Sequence, residues 1–485
     1  FIGLILLLGL VLRAYNLDFP SIGYHNMKEN EYLSMAEAML GSGDFATRRV
    51  YFHNALEGDT TWRLYPQPPL ISYQILISWK MLGKNLWGPR LFNALFGVIS
   101  ILLIYLLARA LFKERRDALL CAFLLAIMPL AVFFSRNLQP ESPAFCFMLL
   151  GNLFYLRFIA SFSAKESMER TENRQKVIAE GDFLEKYNLV LGGLSFSAAL
   201  VYKLSFFIGI VPFIFCFPFK AVFKDKKEFL KRAFTFCLPY LVVMTAVVWL
   251  MSIGQWEFEA PHTLNRIQLW EIFTPAYWEK SWRIIWWYTV GDNYTYVYAA
   301  LALLGIIIAF FKRKGLLSRY IMGWAAAIIF YYMIFSDFIN QHNYYQMPFL
   351  ALVCVSSAYA LSVVSETVTI KRIPAHILPF GLMVLIAAVS GPFVRDSISR
   401  MHATVFWGLD VAGESLKEFT RPDERVFLLS HPQGQGIARY ARRYMGWTDD
   451  LTQFKEAEGR FKIRYICFYP SEFAYELKGK NPALF

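Results

Sequence analysis

Ile101-Leu102-Leu103-Ile104-Tyr105-Leu106-Leu107-Ala108-Arg109-Ala110-Leu111-Phe112-Lys113-Glu114-Arg115-Arg116 decides how the whole chain is read. It closes an apolar stretch over about 88–112 and stops at a knot of basic residues. The same join recurs downstream. Lys220, Lys224, Lys226, Lys227, Lys231 and Arg232 crowd a second connection, Lys312, Arg313, Lys314 and Arg319 a third, and Lys371 and Arg372 a fourth. All four fall on one side of a bilayer if every apolar stretch crosses once, which is the positive-inside pattern. A hydrocarbon core of about 30 Å needs about 20 apolar residues. Eleven membrane helices are expected, at about 1–15, 88–112, 117–135, 140–161, 187–203, 205–220, 233–254, 294–311, 319–336, 347–364 and 375–393. An unbroken 187–220 would overshoot the bilayer, so a turn is expected near Lys203. The charge pattern puts the loop Asn16 to Trp87 and the tail after Phe393 on the outer face of a cytoplasmic membrane.

The composition agrees with this class. The chain is 56% hydrophobic over 485 residues and carries a net charge of +12. The excess charge sits in the inner loops, where topology and anionic lipid account for it without nucleic acid. Of six cysteines, five lie in apolar stretches and Cys467 stands alone in the tail. No CxxC or His/Cys spacing suggests a disulfide framework or a zinc site. Phe1 to Tyr15 lacks a basic flank and an A-x-A-like site, and reads as a first membrane helix rather than a cleaved leader.

The loops have distinct characters. Phe162 to Lys186 mixes both charge signs and reads as cytoplasmic. Gln255 to Asn293 carries Trp256, Trp270, Trp278, Trp282, Trp286 and Trp287, an aromatic belt for the outer interface. Glu29 to Leu40 has helical periodicity, and Pro69 to Leu82 is apolar but too short to span, so the first outer loop reads as a helical cap on the leaflet. In the tail, strands are expected at Arg425 to Ser430 and Arg464 to Tyr469, with helices at Gly434 to Tyr444 and Asp449 to Phe461. That order suggests a small α/β domain with a parallel pair. The expected architecture is a mainly α polytopic membrane domain over 1–393 and an outer α/β domain over 394–485.

Four polar clusters share the outer face. Tyr24-His25-Asn26-Met27-Lys28-Glu29-Asn30-Glu31-Tyr32 offers carboxylates at a helix start, where one could serve as general base. The plainer alternative is a capping box, Asn26 as N-cap and Glu29 at N3. Tyr65-Pro66-Gln67-Pro68-Pro69-Leu70 reads as a rigid turn into an interfacial helix. Ser135-Arg136-Asn137-Leu138-Gln139-Pro140-Glu141 is a short hairpin whose Arg136 and Glu141 are costly there unless paired with each other or functional. Gln341-His342-Asn343-Tyr344-Tyr345-Gln346 gathers hydrogen-bonding groups at a helix start, suited to an anion or simply to an interfacial belt. Lys203 either snorkels outward or faces a lipid phosphate. Their shared face is the main pointer to a site.

The order of these motifs resembles the GT-C glycosyltransferase superfamily, in the branch of protein O-mannosyltransferases and the lipid A aminoarabinose transferase. A D-E-x-x-Y-like motif is matched by Lys28-Glu29-Asn30-Glu31-Tyr32, and a GDW-like turn by Gly43-Asp44-Phe45. K-P-P-L is matched by Gln67-Pro68-Pro69-Leu70, and R-L-x-N by Arg90-Leu91-Phe92-Asn93. S-R-x-x-x-x-D is matched by Ser135-Arg136 with Glu141, and a late Y-Y segment by His342 to Tyr345. The likeness covers about 1–360. Lys28 stands where the family has its first aspartate, Gln67 where it has a lysine, and Glu141 where it has an aspartate.

The resemblance implies transfer of a sugar from a polyprenyl-phosphate carrier to a protein, lipid or glycan acceptor at the outer leaflet, with inversion. It implies Glu29 as first candidate base, with Glu141 and Glu31 as alternatives. Arg136, Lys203, His342, Tyr344 and Tyr345 are the candidates to hold donor phosphate, and Lys28, Tyr32 and Gln67 occupy substrate-binding motif positions. No nucleotide-binding loop is needed, since a polyprenyl phosphate is already a good leaving group, and a divalent cation is an open alternative for which the sequence has no ligand spacing. A lipid or sugar-lipid transporter is the rival function.

Overall fold

The computed structural model describes residues 1–47, 49–54, 63–64, 68–168, 174–219, 226–253, 267–312, 315–367, 378–422, 424–429, 434–448, 451–461, 463–469 and 479. A bilayer offers the backbone no water, so apolar runs must satisfy their own peptide groups and become helices. The outer loop follows the helix α1 (Ile2–Arg13) and holds α2 (Asn26–Ser42), the strands β1 (Arg49–Val50), β2 (Phe52–Asn54) and β3 (Arg63–Leu64), and α3 (Leu70–Leu82). Then come α4 (Trp87–Leu111), α5 (Arg115–Ile127), α6 (Pro129–Arg136), α7 (Glu141–Met168), α8 (Arg174–Tyr202), a 3-10 turn Leu204–Ile210 with α9 (Val211–Cys216), and α10 (Lys226–Ile253). The second half has α11 (Pro275–Trp286), α12 (Thr295–Lys312), α13 (Leu316–Ile339), α14 (Leu350–Thr367) and α15 (Leu378–Ala403). The tail adds α16 (Leu409–Phe419), β4 (Val426–Leu429), α17 (Gln435–Ala441), β5 (Met445–Thr448), α18 (Leu451–Phe461) and β6 (Tyr465–Phe468).

This is a mainly helical, multi-pass membrane protein. Among the described residues seven segments are long and apolar enough to cross a bilayer, and α5 with α6 makes an eighth if the bent pair is one span. The eleven expected crossings are not reproduced as eleven such spans. Of the segments expected to cross, the one at 205–220 is short, Leu204–Cys216. At 1.5 Å per residue a helix of that length falls well short of 30 Å. The break expected near Lys203 is present: α8 ends at Tyr202, and Lys203 is extended at φ −158°.

The bend between α5 and α6 is 56° and has a local cause. Pro129 has no N–H to return to Leu125, so that helix-end carbonyl needs another donor. Arg13, buried at the end of α1, supplies it. Its guanidinium donates to Leu125 O at 3.1 Å and Ala126 O at 2.9 Å, and also to Gly9 O at 3.1 Å. Elsewhere α12 lies so close to α14 that a Cβ at Gly305 would collide with the backbone of Ser356.

An α/β layer joins the loop after α1 to the tail. Its sheet is four-stranded, ordered β2-β5-β4-β6, with every pair parallel. The expected parallel pair β4 and β6 is there, but β5 and the loop strand β2 were not anticipated. Residues alternate sides along β4: Val426 and Leu428 pack against α17 and Leu409, while Phe427 and Leu429 pack against Phe454 and Ala457 of α18. A strand covered on both faces reads as continuously apolar, as this one does. The helix expected at 434–444 stops at Ala441, because Arg442 turns left-handed at φ 49° and the chain re-enters the sheet. Helix α15 runs unbroken through the 393/394 junction, and Phe406 N–H donates back to Ile22 O at 2.8 Å. On α11, Trp278, Trp282 and Trp286 recur every fourth residue and are exposed, the stripe expected of an interfacial belt, while Trp256 lies outside the described residues.

Candidate active site

Helix α2 starts differently from the capping box. His25 is the N-cap, left-handed at φ 60°, with no side-chain cap bond, and Asn26 is already helical. Glu29 therefore does not close the helix start. Its carboxylate turns to α4, where Arg90 grips it with Nε–Oε1 at 2.8 Å and Nη2–Oε2 at 2.7 Å. Ser21 Oγ donates to Oε2 at 2.5 Å and Leu138 N–H to Oε1 at 3.3 Å. Burial works to raise the Glu29 pKa, but the Arg90 charge and these hydrogen bonds outweigh it and hold the group at about 2. With both oxygens occupied and so low a proton affinity, the geometry opposes the expectation that Glu29 is the base.

Arg90 and Asn93 lie on one face of α4 and together fix the hairpin. Asn93 Nδ2 donates to Gln139 O at 3.0 Å and also to Asn137 O, while its Oδ1 accepts from Gln74 at 2.8 Å. Ser142 Oγ donates to Asn93 O at 3.0 Å. Sequence reasoning quoted this motif but gave Arg90 and Asn93 no role; the available signal was their i, i+3 spacing at a helix start facing the outer loop.

The hairpin presents Glu141. The Arg136–Glu141 ion pair weighed from the sequence is not formed. Arg136 instead meets His402 Nδ1 at 2.6 Å and donates to Asn16 O at 2.9 Å. Glu141 pairs with Lys203, whose Nζ bonds Oε1. Glu141 is 1% exposed, and its Oε2 has no hydrogen-bond partner among the described residues. The helix break at Lys203 is what lets this side chain reach inward. Its ammonium also sits 4.1 Å from the Tyr344 ring centroid and 4.6 Å from that of Tyr345.

A stack of rings completes the group. His342 lies on Tyr344 with centroids 5.0 Å apart and planes at 12°, and Tyr344 on Tyr345 at 5.2 Å. His25 stands edge-on to both His342, at 5.6 Å, and Tyr344, at 5.0 Å, and its Nε2 is 3.3 Å from Asn343 Oδ1. Burial, then the neighbouring His342, pushes the His25 pKa down to about 3, so it is neutral at physiological pH. Nothing in the local pattern around His25 singles it out from its motif.

Of the remaining expected residues, Lys28 and Glu31 pair at 3.0 Å. Tyr32 is buried in an apolar cluster with Leu33, Ile71 and Leu138 of the hairpin. Gln67 lies outside the described residues. The structure thus brings Glu141, Lys203, Tyr344, Tyr345 and His342 together, places Glu29 one hairpin away, and separates Arg136 from Glu141. Among the described residues no group of three His, Cys, Asp or Glu could hold a metal ion.

Comparison with known proteins adds a family frame. Residues 66–167 match the family described as dolichyl-phosphate-mannose-protein mannosyltransferase. This stretch contains α4 and the hairpin. An undecaprenyl phosphate-alpha-4-amino-4-deoxy-L-arabinose arabinosyl transferase of Pseudomonas fluorescens is 35% identical over 119 residues, 24% of this chain and 20% of that protein. The chain thus aligns with only about a fifth of that curated relative's length. The archaeal oligosaccharyltransferase AglB from Archaeoglobus fulgidus, solved with an inhibitory peptide and a dolichol-phosphate, has a similar fold, with a TM-score of 0.63 at 14% identity, covering 96% of this chain and 68% of that one. ArnT from Cupriavidus metallidurans, bound to undecaprenyl phosphate, superposes at 0.55 and 15% identity, covering 96% and 89%.

Proposed function

We propose that this chain is a glycosyltransferase that moves one sugar from a polyprenyl-phosphate carrier to a protein, lipid or glycan acceptor at the outer face of the membrane. The observation that carries the reading is Glu141: a buried carboxylate with one oxygen on Lys203 and the other unpartnered among the described residues, beside the His342–Tyr344–Tyr345 stack. The family match and the GT-C fold supply the donor class.

The step is an inverting displacement. An acceptor hydroxyl or amine gives its proton to Glu141 Oε2 as it bonds the anomeric carbon. The bond from that carbon to the phosphate oxygen breaks, and polyprenyl phosphate leaves with one more negative charge. Lys203 serves both ends. Protonation of Glu141 weakens its hold on the ammonium just as the departing phosphate gains charge, so the cation shifts its attraction from one to the other. Glu29, held by Arg90, accepts from Leu138 N–H and so anchors the hairpin that aims Glu141. His342 and the tyrosines wall the phosphate side. The transporter alternative gains no support from the relatives.

Loss of this protein should remove a sugar modification from the outer glycans of its cell, read by mass spectrometry; an unchanged profile would count against transfer. The orientation is tested separately. Protease added to sealed right-side-out vesicles should cut the tail beyond residue 403, whereas cleavage only in inside-out vesicles would reverse the topology.

A further inference from the structure

A polar cleft whose lining does not include Glu141 lies between the loop after α1 and the tail. It encloses about 250 Å3, small for a ligand site and suited to a single sugar. Its floor is Glu37, on α2 eight residues beyond Glu29, about 12 Å along the helix. Its walls carry Lys84, Lys417, Arg439 and Arg442, with Tyr440 and Trp79 between them.

The charges do not close on themselves. Glu414 is taken by Lys417 at 2.6 Å, and Glu37 Oε1 by Lys84 at 3.1 Å. Arg439 reaches Glu37 only at 3.6 Å and Arg442 only at 3.8 Å, both beyond good hydrogen-bond length. Arg439 Nε and Nη1 and Glu37 Oε2 are buried without a hydrogen-bond partner among the described residues. Buried donors and a buried acceptor left open side by side are costly unless something enters.

We propose that this cleft binds an acidic saccharide, a sugar bearing a phosphate or carboxylate. Arg439, Arg442 and Lys84 take the anion, and Glu37 Oε2 accepts a hydrogen bond from a sugar hydroxyl. A bare anion satisfies only the cationic side and is repelled by Glu37, whereas a hydroxylated anion satisfies both. The cleft also communicates with the candidate active site. Tyr440 OH accepts from Ser21 N–H at 2.9 Å, and the hydroxyl of Ser21 donates to Glu29.

The test is titration of the full-length protein, in nanodiscs of neutral lipid, with glucose 6-phosphate, glucuronate, glucose and inorganic phosphate. Transfer is not read, so the outcome does not depend on the reaction proposed above. Both acidic sugars should bind, more weakly as salt rises, and glucose should not. Arg439→Gln should weaken them at least about tenfold, the loss of one charge-assisted hydrogen bond. Lys84→Ala should weaken them in the same direction, and because its side chain is 42% exposed the fold should persist. Inorganic phosphate binding as tightly as glucose 6-phosphate, or unchanged affinity in both variants, would overturn the proposal. So would loss of sugar binding when anionic lipid is added to the nanodiscs, which would assign the cleft to membrane headgroups.

Discussion

Glu141→Gln should lower sugar transfer at least about 100-fold, the lower end of what a positioned base contributes. Glutamine keeps the shape and can still accept from Lys203, but it cannot take the acceptor's proton at Oε2. The loss should fall on turnover, with donor binding largely retained, since Lys203 and the ring stack remain. Purified protein with a polyprenyl-phosphate sugar and a native acceptor gives the measurement, at matched folded fraction. Transfer within about threefold of the parent would remove the base from Glu141 and reopen Glu31, which sits 3.0 Å from Lys28. Lys203→Met is the companion. It strands Glu141 without a cation and should impair donor binding and turnover together.

Glu29→Gln should act on stability first. It breaks a buried, doubly hydrogen-bonded pair and leaves the Arg90 charge uncompensated, a change that costs about 3–5 kcal/mol. The four buried cysteines Cys121, Cys146, Cys216 and Cys354 make a thiol-reactive dye a direct reporter of unfolding. The pH dependence has a definite sign. The folded pKa of about 2 lies below the unfolded value of 4.5, so Glu29 contributes its stability above 4.5 and loses it as pH falls toward 2. At about 1.4 kcal/mol per pKa unit this amounts to about 3 kcal/mol, and the parent should weaken across that window more steeply than the variant. Exchanging the pair for Leu and Met should restore part of the stability, as apolar replacement of buried ion pairs does. If that double variant is stable and still transfers sugar, Glu29 is scaffold. If it is stable and inert by 100-fold or more, the carboxylate itself is needed for chemistry.

The membrane part was legible because hydrophobicity and charge are read locally. The apolar segments themselves, the break at Lys203 and the helices α2 and α3 all follow from neighbours in sequence, whereas helix ends such as Met168, Arg174 and Ala403 do not. The gathering of Glu141, Lys203 and Tyr344 followed from topology alone, since three loops forced to one face must approach. What remained hidden were choices between equivalent partners. Glu29 could close its own helix or reach Arg90, 61 residues away, and only packing decides. Arg136 could pair with Glu141 nearby, yet it finds His402. Strands β2 and β5 are three and four residues long, and Gly446 weakens the second, so local pattern is silent about them.

The pairing of Phe52 with Met445 bears on how the protein is made. Ribosomes add about 5–20 residues per second. The early strand therefore waits about 20–80 s for the one it will lie against, while the membrane helices between them are inserted. During that interval Tyr51 and Phe52, later buried with Leu409 and Met445, have no lid. This α/β layer can be completed only once the tail has been made. A chain halted before residue 445 leaves Tyr51 and Phe52 as an uncovered apolar edge, open to pairing with another chain.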